Sequence, residues 1–334
     1  MKTSFDNVKI QGMAVAVPEN VENNFMFSEQ IGESQVKKQI SFTGICKRHI
    51  CSENQTILDL CEEAFREICG RLGWDEQSID SVILVTQSPV LLVPSSSFVL
   101  HEHLGLKKEC FVFDMNMGCA GFNTGLHTIS SLLSAQPNGA RGILLIVDDI
   151  NRLIRGNCKE LNASIISHLM LFGSAAAAVA VEHKESDIPM LVEEFSDGSR
   201  HEAIHLKKNE DFFMDGLDIF AFATSEVTDS VERFIEENKL AGQIDYYVFH
   251  QAEKAVLDEI QDILGLEDEK FLLSYSEYGN TSGASLPVTL CANKDRIKKK
   301  KIRVLFCGFG VGLSWGLAYA CLDTENIMPI IEVV

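Results

Sequence analysis

The chain has 334 residues, 46% of them hydrophobic and only 7 of them proline, enough for one large or two medium domains around a substantial core. Its formal net charge of −19 argues against non-specific binding to nucleic acid and against docking on anionic lipid. The apolar stretch 175–181 is too short to cross a bilayer, residues 1–6 hold no leader-like run, and ten cysteines without a Cys-x-x-Cys pair fit a reducing cytoplasm better than structural zinc or disulfides.

In chain order, Ile57, Leu58, Cys61, Ala64, Phe65 and Ile68 mark a helical apolar stripe. A turn at Gly73 leads to a strand over 81–86. Leu104-Gly105-Leu106 then precedes an apolar strand at 110–113, a Gly-rich turn holding Cys119, a helix over 125–133 and a strand over 142–147. The plan then returns. Ile219, Phe220, Ala223, Val227, Val231, Phe234 and Ile235 form a second helical stripe, Gly242 a turn, and 245–250 a strand. Leu264-Gly265-Leu266, a Gly-rich turn holding Asn280, a helix and a strand over 302–306 follow, at an offset of roughly 160 residues. Strands alternating with helices predict mainly parallel sheets covered on both faces. The repeat predicts two similar halves, 1–172 and 173–334, with a site between them.

Three residues invite chemistry. Cys119 lies at a strand-to-helix turn, where helix amides and dipole favour a thiolate; a contribution of up to ~2 kcal/mol would bring its pKa down toward neutrality. A buried structural cysteine is the plainer reading of the same context. His250 closes a strand at the end that α/β sheets use for ligands, although a satisfied edge histidine would look alike. Asn280 sits in Gly279-Asn280-Thr281-Ser282-Gly283, which also reads as ordinary turn chemistry. The glycines of 308–312 let backbone amides approach a ligand. His201-Glu202-Ala203-Ile204-His205 has the spacing of a zinc-protease motif, but its flanks predict a loop or short strand instead of the helix such a site needs, so no metal is expected. Cys307 falls on a strand and reads as core.

Together, Gly118-Cys119-Ala120-Gly121-Phe122, His250-Gln251-Ala252, Tyr278-Gly279-Asn280-Thr281-Ser282 and the segment 308–316 with Trp315 resemble the β-ketoacyl-acyl-carrier-protein synthase III family over nearly the whole chain. The resemblance implies an α/β thiolase fold, five-layered α/β/α/β/α with an internal duplication, and a homodimer. It implies a catalytic trio of Cys119, His250 and Asn280 and an oxyanion hole from the amides of Cys119 and Val311. It also implies substrate contacts from Val93 (across the dimer), Phe172, Met214, Gly216, Phe220 and Gly310. No cofactor is expected. The substrates would be an acyl thioester of coenzyme A or acyl carrier protein, and malonyl-acyl carrier protein.

Departures from the family's pattern cluster around the substrate. Lys38 and Ile166 stand where a Trp and an Arg usually enclose adenine, and Phe42, Cys46 and Ala255 stand where arginines are usual. Phe172-Gly173-Ser174 replaces Phe-Gly-Asp. Lys47, Arg48 and Lys254 are therefore expected to supply positive charge for carrier docking. Val93, commonly Phe, suggests room for an acyl group longer than acetyl. Two alternatives stay open: an acyltransferase that uses an oxygen or nitrogen acceptor without decarboxylation, and a condensing enzyme of a specialised pathway. The tail 327–334 reads as an edge strand or a dimer contact.

Overall fold

The computed structural model describes all 334 residues. The helix expected near residue 57 runs Ile57–Leu72. Thr56 and Asp59 cap each other's backbone at its start, and Gly73, in the left-handed conformation, ends it. The second stripe is a continuous helical segment, Gly216–Phe222, a wider turn Ala223–Val227, and Thr228–Glu237.

Two six-stranded sheets form the frame. The first runs, edge to edge, Ile331–Val333, Val8–Pro18, Ala175–His183, Arg141–Asp148, Ser81–Val85 and Phe111–Met115. The second runs Lys2–Phe5, Met190–Ser196, Ser314–Asp323, Lys301–Gly310, Tyr246–Phe249 and Phe271–Leu272. Helices Gly121–Ser134 and Ser285–Ala292 lie between the sheets, and their apolar faces join residues of both sheets in one central core. Ile57–Leu72 covers the outside of the first sheet; Gly216–Glu237 and Lys254–Leu264 cover the outside of the second. This is the five-layered architecture, with each half repeating the other's order. The central layer is tight: a Cβ on Gly125 would stand 2.6 Å from Leu144 Cδ1.

The sheets differ from expectation in two ways. They are mixed, not mainly parallel. Ala175–His183 runs antiparallel to both neighbours, as does Ser314–Asp323. A turn of three residues, 311–313, can only return the chain antiparallel. Helices Ile150–Asn157 and Ala163–Leu169 join the outer core of the second half and do not cross the first sheet, so no parallel crossover forms there. Second, the halves interleave. Ala175–His183, just beyond the expected division at 172/173, belongs to the first sheet. Lys2–Phe5 edges the second sheet, and the C-terminal strand Ile331–Val333 edges the first, parallel to Val8–Pro18.

Candidate active site

Cys119 lies between the end of Phe111–Met115 and the start of Gly121–Ser134, at the inner end of a cavity of about 760 Å³. His250 follows Tyr246–Phe249, its N–H donating to Cys307 O at 2.8 Å. Asn280 is brought in by pairing between the halves: its N–H donates to Leu171 O (3.0 Å), and Gly173 N–H donates to Asn280 O (2.9 Å). All three side chains are buried and all line the same cavity. Two distant stretches of sequence thus meet at one point, as the duplication suggested.

Each side chain is held. Ser282 N–H donates to Asn280 Oδ1 (2.9 Å), which leaves the Asn280 amide NH₂ facing Ala252 O (3.4 Å) and His250 Nε2 (3.5 Å). His250 Nδ1 lies 2.8 Å from Ser285 Oγ, and its ring meets Phe309 edge-on. Burial pushes the imidazole down to about 3, against the pull of the Ser282 backbone, so the ring is neutral. Gly310, at φ +154°, packs directly against the nucleophile. A Cβ there would stand 2.8 Å from Cys119 Cβ and 3.1 Å from Sγ. The amides of Cys119 and Val311 face the sulfur, where the resemblance implies an oxyanion hole.

The thiol corrects one expectation. Its place at a helix start was expected to lower its pKa, but complete burial, reinforced by the Asp148 carboxylate, pushes it up to about 12. The Ser282 hydroxyl and the two amides pull the other way and lose. Desolvation of a fully buried thiolate outweighs a helix-terminus contribution of ~2 kcal/mol or less.

Of the expected substrate contacts, Phe172, Met214, Gly216, Phe220 and Gly310 line the cavity. Val93 does not. It is 86% exposed beside Leu92 at 93%, on a surface loop. The docking residues divide. Lys47 pairs with Glu277 at 2.6 Å, and Lys254 with Asp258, both at the surface. Arg48 is buried outright and cannot meet a carrier: it donates to Asn24 Oδ1 (2.9 Å) and Leu169 O (2.5 Å) and pairs with Glu22 (3.3 Å). It follows Lys47 on the strand Lys47–His49, where successive side chains face opposite ways. His201 and His205 occupy a turn and a two-residue strand, each ring bonded to a local carbonyl, not one face of a helix. Cys307 is a fully buried strand residue paired with Phe249.

Sequence reasoning missed Glu253 and Asp148. Glu253, three residues after His250, lines the cavity without an ion-pair partner, and burial pushes it up to about 7. Asp148 stands behind Cys119, buried and pushed up to about 6. The signal for Asp148 was available in outline: an acid closing a strand whose repeat partner ends at the glycine loop.

Two family models match, 3-oxoacyl-[acyl-carrier-protein] synthase III over residues 113–198 and its C-terminal counterpart over residues 235–320. The β-ketoacyl-[acyl-carrier-protein] synthase III of Clostridium perfringens is 31% identical over 94% of this chain and 98% of its own length. The chain belongs to the 3-oxoacyl-[acyl-carrier-protein] synthase III family. The synthase III of Lactococcus lactis subsp. cremoris is likewise 31% identical, over 93% of this chain and 98% of its own. The crystal structure of the 3-oxoacyl-(acyl-carrier protein) synthase of Burkholderia xenovorans superimposes with a TM-score of 0.91 at 28% identity, covering 100% of this chain and 99% of that one. Synthase III of Pseudomonas aeruginosa gives 0.83 at 26% identity, covering 95% and 98%. The thiolase fold and the acyltransferase class follow from this membership. No helix is long and apolar enough to cross a membrane.

Proposed function

We propose that the chain catalyses decarboxylative Claisen condensation between an acyl thioester, carried as acyl-Cys119, and a malonyl-carrier thioester. The supporting observation is the convergence of Cys119, His250 and Asn280 on one largely apolar cavity, with two backbone amides at the sulfur. Cys119 attacks the acyl thioester, and the amides of Cys119 and Val311 receive the oxyanion; one such donor is typically worth about 10²–10³ in rate. The malonyl thioester then loses carbon dioxide and leaves an enolate. With the Ser285 hydroxyl donating to His250 Nδ1, Nε2 carries the ring proton. Its 3.5 Å separation from the Asn280 amide suits two donors converging on a third atom, the enolate oxygen, better than a bond between them. Decarboxylation supplies the carbanion, so no carboxylate base is needed to remove a C–H proton.

The primer is an acyl group longer than acetyl, delivered by coenzyme A or acyl carrier protein, with malonyl-acyl carrier protein as the extender. The cavity's volume and apolar wall support the longer chain. A homodimer is supported by the Phe111–Met115 edge strand, which leaves Phe111 57% exposed, and by exposed Leu91, Leu92, Val93 and Phe98. In that assembly Val93 would meet the partner's acyl chain. Intact-mass analysis after incubation with acetyl, octanoyl and dodecanoyl thioesters should give an acyl adduct that Cys119→Ser abolishes. Malonyl-carrier protein should then convert that adduct to a ketoacyl product. Discharge only to an amine or alcohol would replace condensation with simple acyl transfer, a strict acetyl preference would remove the longer primer, and sedimentation at the mass of one chain would remove the dimer.

A further inference from the structure

Ser282 has no duty in the steps above, yet its backbone sits at φ +52°, a left-handed conformation that is costly for serine and tends to persist where a site requires it. Its side chain is buried, lines the cavity, and its Oγ makes no hydrogen bond of full geometry. Two acids flank it, the Cys119 thiol, which lines the same cavity, and the Asp148 carboxyl, on the strand packed against its turn. Asp148 closes the strand Arg141–Asp148, and Ser282–Ala284 packs against that strand. Gln87 N–H (2.6 Å), Thr86 Oγ (3.2 Å) and Ser88 Oγ (3.4 Å) all donate to its Oδ1, leaving Oδ2 without such a donor.

We propose that Ser282 and Asp148 form the proton outlet of Cys119. As Sγ attacks the thioester carbonyl carbon, the thiol proton passes to Ser282 Oγ, and the proton already on that hydroxyl passes to the Asp148 carboxylate. Collapse of the tetrahedral adduct breaks the bond to the carrier sulfur. The departing thiolate takes the proton back along the same path, leaving acyl-Cys119, a free carrier thiol and an ionised Asp148.

The need for an outlet follows from burial. The thiol stays protonated near neutrality, and the imidazole, pushed down to about 3, is the weaker base beside a carboxyl held near 6. The groups around Asp148 leave its charge free to act. The segment 86–88 contributes only neutral donors, and no ion pair reaches the carboxyl. The neighbouring Asp149 is engaged with Arg152 (3.3 Å), and His250 is neutral and bound to Ser285.

The outlet rests on Cys119 as nucleophile, and its test separates the two. Acylation by an acyl thioester and alkylation by iodoacetamide are followed from pH 5 to 9 in the native enzyme, Asp148→Asn and Ser282→Gly, the glycine being suited to the positive φ. The native rates should rise through about pH 6 as Asp148 ionises. Both variants should lose that limb and fall by about 10² in rate. A faster reaction in Asp148→Asn would mean that the carboxylate only opposes thiolate formation, and a slower reaction with the limb intact would mean a structural role; either overturns the proposal. Ser282→Gly decides the case if Asp148→Asn fails to fold. Iodoacetamide needs no acyl donor, so the outlet is decided even where thioester acylation fails.

Discussion

The two ends of the cavity are built on opposite principles. At the inner end Cys119, His250 and Asn280 are at most 8% exposed, and backbone from both halves fixes them. At the mouth Phe42 is 57% and Leu217 85% exposed, and the ionisable group with no partner there is a carboxyl, Glu253. The inner end needs sub-ångström placement, which rigid strand ends and a central helix provide. The mouth only has to admit a thioester arm, and surface residues there can change at little structural cost. Chemistry and specificity are therefore separable in this chain: Phe42, which stands where the resemblance implies an arginine, is at the mouth, while the three residues at the inner end match the implied trio.

The sharpest way to break that separation is at the inner end. His250→Ala or Asn280→Ala should cut ketoacyl formation by about 10²–10³ while leaving acylation of Cys119 within about ten-fold of native, since each donates to the enolate and not to the nucleophile. Rapid-quench measurement of the two half-reactions checks this; equal losses in both would merge the roles. Next in size is Gly310→Ala, whose added methyl would stand 2.8 Å from Cys119 Cβ at a backbone conformation alanine resists. Both acylation and thermal stability should drop, the latter by roughly 1–3 kcal/mol.

At the mouth the effects should be small and pH-dependent. Glu253 is neutral below about pH 7 and anionic above it. The KM for malonyl thioester should therefore rise roughly six-fold between pH 6 and 8, as expected for like charges some 10 Å apart, ~1.7 kcal/mol at an effective dielectric of 20. Glu253→Gln should flatten that rise and leave kcat nearly unchanged. Stability gives an independent check. The folded-state pKa of Glu253 lies above its unfolded value, so its contribution is intact below the unfolded pKa near 4.5 and lost as pH rises through about 7. Thermal melts should accordingly show Glu253→Gln gaining on the native chain at pH 8 and not at pH 4.

His250 behaves in the opposite sense. Its folded value lies below 6.5, so its neutral burial stabilises the fold above that pH and the contribution is lost as pH falls toward 3. Through His250 acid weakens the inner end, whereas through Glu253 alkali weakens the mouth.

Much of this was legible in the residues. Period-3.6 stripes at Ile57–Ile68 and Ile219–Ile235 gave the outer helices, and the matching turns around Cys119 and Asn280 gave the two-half plan; the trio came from the resemblance of their motifs to a known family. Strand direction was not legible. Ala175–His183 reads as an apolar run whichever way it points, and only its path from helices packed elsewhere makes it antiparallel. Nor was the fate of Arg48. Adjacent to surface Lys47, it looks like one more cation until Asn24 and Leu169 enclose it.

By itself, then, the sequence determined the duplicated α/β plan, because periodicity and turn chemistry are local, and its motifs resemble a family whose pattern implies Cys119, His250 and Asn280 as the trio. Tertiary structure decided the protonation of those groups. A helix start beside Cys119 is visible in seven residues, but its burial is made by Gly310, Val311 and Ser282 from the other half and by Asp148 from the next strand but one in the first sheet. Desolvation depends on everything within a few ångströms, whatever its place in the chain, and so it appears only once the chain has folded.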